Sequence, residues 1–195
     1  MYYVRPEIEI RSKVVTPNSA LVVPLADFKQ FIKWDAADTS EDTTMTTCLK
    51  AATFQAESFT RRTVSLAPWQ STLPYFTNVF LDIIPVASVV IKYDDETGTE
   101  QTLATTEYTV IDNGIDDYAE IRFDGTMPQL ESDNYEPVRI QYNAGYSTLP
   151  EGIKLGIMQL AASYFENRQN EVVGAGSNMI SHSSIHTLYP YKLMS

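Results

Sequence analysis

Cysteine is almost missing from this chain: its 195 residues contain one, Cys48, so an internal disulfide is excluded. Cys48 lies between Met45, Leu49 and Ala52 in a helical pattern, which predicts a small buried thiol rather than a nucleophile or ligand. Cations are also scarce, with 14 Lys and Arg against 25 Asp and Glu for a net charge of −11. Phosphate binding needs clustered Lys and Arg that release counterions, so a nucleic-acid-binding surface is not expected. No apolar run is long enough to span a membrane, and Met1-Tyr2-Tyr3-Val4-Arg5-Pro6-Glu7 lacks the apolar stretch of a signal peptide. Synthesis and retention in a reducing cytoplasm are the expectation.

The motifs of common chemistries are missing as well. There is no Gly-x-x-x-x-Gly-Lys phosphate loop and no Gly-x-Ser-x-Gly elbow, which argues against ATP hydrolysis and serine esterase activity. His182 and His186 stand four apart, on one helix face, but no glutamate lies between them and no third ligand is in register. Asp94, Asp95 and Glu96, or Asp112, Asp116 and Asp117, lack the alternating ligands and closing glutamate of an EF-hand. Acidic loop tips on a small sheet are the ordinary reading. Paired carboxylates for glycoside hydrolysis stay open, because their geometry is set in space. The chain is therefore expected to be no enzyme and to hold no cofactor and no metal.

What is present is 44% hydrophobic residues, enough to bury roughly 70% of the unfolded surface in one sizeable core or two small ones. The acidity is concentrated. Between Leu66 and Gly145 there are 14 acidic residues against Lys92, Arg122 and Arg139, whereas the rest of the chain balances at 11 of each sign. An excess confined to one block predicts a separate structural unit with its own solvated surface. The plain reading is solubility; the sharper one is an acidic wall that repels DNA in transit.

The periodicities change at the same boundaries. Asp27 to Trp34, after Pro24-Leu25, predicts a short helix with Leu25, Phe28, Phe31 and Ile32 facing one way. From Glu41 to Thr63 a longer helix is predicted from Met45, Cys48 or Leu49, Ala52, Ala56 and Phe59, with Ser40 as its N-cap. After Ala67-Pro68 the pattern runs in twos: Val89, Ile91 and Tyr93 alternate with Val90 and Lys92, and Val138, Ile140 and Tyr142 alternate with Arg139 and Gln141. Val79 to Ile83, Thr99 to Leu103, Tyr108 to Ile111 and Ala119 to Phe123 complete a small antiparallel unit of about five or six strands. A third helix opens at Pro150-Glu151, where Ile153, Ile157, Leu160 and Tyr164 form one apolar stripe, and runs to Arg168. The predicted fold class is α+β. A small helical core, from 25–64 and 150–170, carries an inserted antiparallel β-sheet subdomain at 66–146, and an arm at 174–195 follows. The alternation of Ile8 and Ile10 with Glu7, Glu9 and Arg11 allows the first residues to add as a strand to a neighbouring subunit or to wrap their own fold.

Tyr164-Phe165-Glu166-Asn167-Arg168, closing a helix that follows a strand end Tyr142-Asn143-Ala144-Gly145-Tyr146, resembles the head-tail connector (adaptor) proteins of long-tailed bacteriophages. Val15-Thr16-Pro17 and Pro24-Leu25-Ala26-Asp27-Phe28-Lys29 look like the opening of these connectors. Ala56-Glu57-Ser58-Phe59-Thr60-Arg61-Arg62 is similar to their first long-helix end, except that Arg61 stands where glycine is expected to supply a left-handed turn. Trp69, Leu81 to Pro85, Ser88-Val89, Tyr93-Asp94 and Tyr108 fall where the connectors' inserted sheet would put them, so the resemblance spans roughly residues 14 to 192.

The resemblance implies a structural virion protein: a closed ring of about a dozen copies below the portal, at the neck between capsid and tail, assembled in the host bacterial cytoplasm. It implies contacts with the portal protein and with a stopper or tail-completion protein, DNA passing through without specific binding, and no membrane. Tyr164, Phe165, Glu166, Asn167 and Arg168 are then interface candidates at the helix end. Ile185, Leu188, Tyr189 and Tyr191 are candidates in the tail, which either docks on a neighbour or packs on its own helical core. The alternatives are another neck protein, such as a stopper or tail-completion factor, and a carbohydrate-binding module built on Tyr108, Tyr118 and Tyr135.

Overall fold

A computed structural model describes residues 10–111, 118–167 and 182–193. The fold is α+β and divides into two compact units. One, the sheet unit, comprises the chain up to Asn18 together with Leu66–Gly145; the other, the helical unit, comprises Ser19–Ser65 and Tyr146 onward.

The sheet unit is antiparallel throughout. Strand β1 (Arg11–Val14) opens a five-stranded sheet of order β1-β2-β8-β4-β5, with β2 (Ala67–Leu73), β4 (Val86–Asp94), β5 (Glu100–Thr102) and β8 (Val138–Ala144). Strands β3 (Val79–Leu81), β6 (Tyr108–Ile111) and β7 (Ala119–Phe123) form a second sheet of order β3-β7-β6. The period-two expectation for β8 is met: Val138, Ile140, Tyr142 and Ala144 are all buried, as a central strand requires. They meet Leu73, Leu81, Ile91 and Ile121 in one apolar cluster.

Among the described residues there are eight strands, more than the periodicity suggested. The strand beginning at Ala67 was hidden by Pro68, which reads as a breaker. Pro68 is tolerated because β1 ends at the Val14–Trp69 pair, so only its carbonyl is needed on that side, accepting the Val15 N–H at 2.8 Å. Arg11–Val14 join their own sheet, through the β1–β2 ladder from Arg11–Thr72 to Val14–Trp69, whereas Glu7, Ile8 and Glu9 lie outside the described residues. A hydroxyl chain crosses three strands beneath it: Ser12 Oγ to Ser71 Oγ at 2.8 Å, and Ser71 Oγ to Tyr142 Oη at 3.1 Å.

In the helical unit, α1 (Leu25–Phe31), α2 (Asp42–Thr60), α3 (Glu151–Glu166) and α4 (His182–Leu188) surround one core. The α3 stripe is as the spacing predicts, with Ile153, Ile157 and Leu160 buried and Tyr164 packed at the margin. Along α2 the buried set is Met45, Leu49, Ala52, Ala56 and Thr60. Cys48 is half-buried rather than buried, because Leu49 holds the centre of that turn.

Helix ends differ from expectation by one to three residues. Helix α1 stops at Phe31, not Trp34, since Lys33 takes a left-handed backbone (φ 57°). Helix α2 begins at Asp42 with Glu41 in the N-cap position and no side-chain cap, so Ser40 is not the cap; its N–H instead donates to Asp38 Oδ1. The link between these helices is fastened by buried Lys29, whose Nζ donates to the Asp38 carbonyl at 2.7 Å and pairs with Asp42 at 2.6 Å.

Candidate functional site

Among the described residues, no group of three or more His, Cys, Asp or Glu is placed to hold a metal ion. Three acidic residues of the β4–β5 hairpin, Asp94, Asp95 and Glu100, make structural contacts. Asp95 Oδ1 accepts from Thr97 N, Thr97 Oγ1 and Thr99 N, and these bonds hold its carboxyl down at about 2. Asp94, buried at the end of β4, accepts from Nη1 and Nη2 of Arg139 on β8 and also from Asn134 Nδ2 at 2.8 Å; the Arg139 bonds hold its carboxyl below the usual range. Asp112, Asp116 and Asp117 lie outside the described residues, as does the side chain of His182.

The interface candidates fall in the helical unit. Phe165 is half-buried and meets Trp34 edge to face, with ring centroids 5.7 Å apart. Glu166 and Asn167 are exposed. Asn167 closes α3, donating its N–H to Ser163 O at 3.0 Å and its Nδ2 to the same carbonyl at 3.1 Å. Arg168 lies outside the described residues.

The described part of the tail packs on its own helical core. Leu188 is buried, so it is a core residue in this conformation rather than an exposed anchor. A Cβ on Gly156 would stand 2.7 Å from Leu188 Cδ2, and one on Gly152 would stand 2.6 Å from Tyr191 Oη. The two glycines, four apart on α3, let α4 and the following 3-10 turn (Tyr189–Tyr191) approach the helix backbone.

Residues not singled out from the sequence fasten the end of the tail. Buried Arg62 donates Nε to the Tyr191 carbonyl at 2.7 Å, the Leu193 N–H donates to Thr60 O at 2.9 Å, and Lys192 Nζ lies 5.3 Å from the Phe59 ring centre. Tyr146 lies beside Arg62, and burial pushes its phenol up despite the guanidinium. The Gly-x-x-x-Gly spacing in α3 was the available sequence signal for this seat; Arg62 gave none, because a buried arginine is unusual.

Ile185 (40% exposed) and Tyr189 (56%) stay at the surface of the tail. Tyr164, Ile185 and Leu188 come together around a small apolar pocket of about 180 Å³ with Phe59 and Leu160. A second, shallower concavity of about 840 Å³ lies on the sheet unit, lined chiefly by polar side chains from β1, the end of β2 and residues 131–136.

With this architecture in place, the fold can be compared with solved structures. Three chains match nearly end to end: one from the neck of an empty gene transfer agent (GTA) particle computed with C6 symmetry (TM-score 0.74, 21% identity, 95% of this chain and 96% of that one). Another comes from the virion of a native GTA particle (0.71, 21%, 94% and 96%), and a third from the neck of a native GTA particle computed with C12 symmetry (0.68, 22%, 95% and 96%). No protein-family model and no curated protein matches the sequence. The likeness defines the fold, a two-unit α+β architecture shared with neck and virion chains, in agreement with the connector resemblance of the sequence.

Proposed function

We propose that this chain is a structural, non-enzymatic protein of a phage-type virion. It is the head-tail adaptor, which forms a ring below the portal, extends the DNA channel and docks a stopper or tail-completion protein. The observation that carries this reading is the end-to-end likeness, over 95% of the chain, to neck chains from particles computed with C6 and C12 symmetry. A repeated subunit around a channel needs interfaces and solubility rather than a reaction centre, and Asp94, Asp95 and Glu100 of the β4–β5 hairpin are taken up by turn and strand contacts. Exposed Glu166, Asn167, Ile185 and Tyr189 form the docking patch of the helical unit toward the portal or the neighbouring copy, and Arg168, outside the described residues, is a candidate for the same contact from the sequence alone. Tyr164, Phe165, Leu188 and Tyr191 support that patch from beneath. Assembly occurs in the host bacterial cytoplasm, and the ring ends in the virion.

Electron cryo-microscopy of the particle whose genome encodes this chain is the test. The expected result is a ring of copies between portal and tail, and filled heads lacking tails when the gene is deleted. Density for the chain elsewhere in the particle, or normal tailed particles after deletion, overturns the proposal.

A further inference from the structure

One exposed stripe of α2 departs from the rest of this acidic chain. Phe54 is 71% exposed, and the residues that share its face are short or cationic: Lys50 four before it, Ala51 and Ser58 beside it, Thr47 and Arg61 two turns away. The stripe holds no carboxylate. Glu57 of the same helix is turned elsewhere, with Oε1 accepting the Val64 and Ser65 N–H groups. A single aromatic ring therefore stands exposed among short side chains, with the Lys50 ammonium one turn away. A lone exposed phenylalanine is ordinary on its own; what makes this one informative is the sheet unit's opposite counterpart.

That counterpart is the 840 Å³ concavity. Glu131, Asp133 and Glu136 line it, with Pro74 and the 92%-exposed Tyr135 as apolar surface. Its one cation, Arg11, is paired with Glu136 at 3.5 Å. The loop that forms it is held firmly: Asn134 binds Asp94 through Nδ2 and receives the Glu136 N–H on Oδ1 at 3.0 Å, while Asp94 is locked by Arg139. A concavity fixed by such bonds loses little freedom on binding.

We infer that the Phe54 stripe of one copy docks into the acidic concavity of the next copy, and that this contact is the seam of the ring; the inference rests on the ring reading above. A closed ring requires two unlike, mutually complementary patches on every subunit, because each contact is head to tail. These two patches have opposite charge, and one offers an aromatic knob where the other offers an apolar-rimmed hollow. A two-fold dimer through either patch is disfavoured, since the concavity against itself brings six carboxylates together and the stripe against itself opposes its cations. DNA is a poor occupant for the stripe: two cations beside a molecule of net charge −11 cannot replace the counterions of a duplex.

The test uses full-length protein, with ring formation followed by mass photometry and negative-stain images over a concentration series, and folding checked by circular dichroism. Phe54→Glu is expected to raise the concentration needed for half-assembly by at least about tenfold. Lys50→Glu is expected to weaken assembly and Asp133→Lys, combined with it, to restore it. Independently of those variants, Phe54→Cys with Asp133→Cys in a Cys48→Ala background should oxidise to a ladder of multimers, which only a head-to-tail contact produces. Rings that form normally with Phe54→Glu, charge reversal without rescue, or oxidation that stops at dimers overturns the seam and leaves the ring itself standing. Wild-type protein that forms no ring in solution and none in the particle overturns both. Loss of duplex DNA retention by Lys50→Glu, with assembly unchanged, would reassign the stripe to nucleic acid and also overturn the seam.

Discussion

Arg61 holds a left-handed backbone, φ 56° and ψ 36°, at the C-cap of α2, the position where the connector resemblance expects glycine. The helix is thus terminated by a residue whose Cβ crowds the preceding carbonyl, at a cost of about 1–2 kcal/mol, part of which a glycine would give back as chain entropy. Arg61→Gly should therefore stabilise the protein by about 0.5–1 kcal/mol, read as a higher urea midpoint with an unchanged slope. An unchanged or lower midpoint would mean that the arginine side chain contributes more than its backbone costs. Asp94 gives a second case. Its carboxyl, like those of Asp95 and Glu100 in the same hairpin, lies below the usual range, held down respectively by Arg139, Thr97 and Lys92. A depressed carboxyl contributes stability that is present above its unfolded value and is lost as pH falls through the folded one, which for Asp95 is the window from about pH 4 to about 2. Thermal melts should drop steeply across that window. Asp94→Asn should already cost about 2–3 kcal/mol at pH 7, by taking from the Arg139 guanidinium its paired carboxylate and leaving it only Glu100 at 3.1 Å, and should show a shallower acid dependence.

At the scale of elements, α3 shows why some structure was readable from the chain and some was not. Its stripe of Ile153, Ile157 and Leu160 follows from spacing alone, as does the alternation of β8, because a buried face imposes a period on the residues that line it. Strand β2 escaped notice because Pro68 at its start obeys a ladder that only tertiary pairing reveals. The division of the strands between two sheets was likewise out of reach, since β3 pairs with β7 across about forty residues. Of the candidate interface residues, Phe165 and Tyr164 were legible as aromatics at a helix end, but burial of Leu188 depends on what faces it. That partner is Gly156. Adding a methyl there places it 2.7–2.8 Å from Leu188 Cδ2 and Cγ, in a fully packed core, so Gly156→Ala should destabilise the protein and loosen α4 despite alanine's helix propensity. At Gly152 the obstacle is chiefly the far end of the half-buried Tyr191 ring, which can swing. Gly152→Ala should thus be nearly neutral, within about 0.5 kcal/mol, while Gly156→Ala costs about 1–3 kcal/mol. Equal melting temperatures for the two variants would show that α4 does not bear on α3 as described.

At the scale of the whole molecule, charge is the property most clearly distributed by unit. Fourteen of the 25 acidic residues fall between Leu66 and Gly145, against three cations there, and two of those cations, Lys92 and Arg139, are already committed to Asp94 and Glu100. Arg122 bonds Glu120 on its own strand with both Nε and Nη2. The 66–145 block of the sheet unit therefore presents carboxylates to solvent with little cationic surface to attract a phosphate backbone, and the exposed cations of the unit's first strand, Arg11 and Lys13, offset only part of that excess. Under the proposed adaptor function that distribution would favour passage of DNA: a wall of like charge would keep the duplex hydrated and centred, whereas each phosphate contact would add a site at which the duplex pauses. Purified protein should accordingly show no binding to a labelled 30-base-pair duplex in anisotropy titrations at 150 mM salt, up to concentrations of about 10 µM. Lowering the salt should not create binding, because repulsion between a net −11 protein and DNA grows as screening weakens. A protein that bound the duplex at low salt and released it steeply as salt rose would have a cationic track that this charge distribution does not provide, and the reading of the sheet unit as a repelling wall would fail.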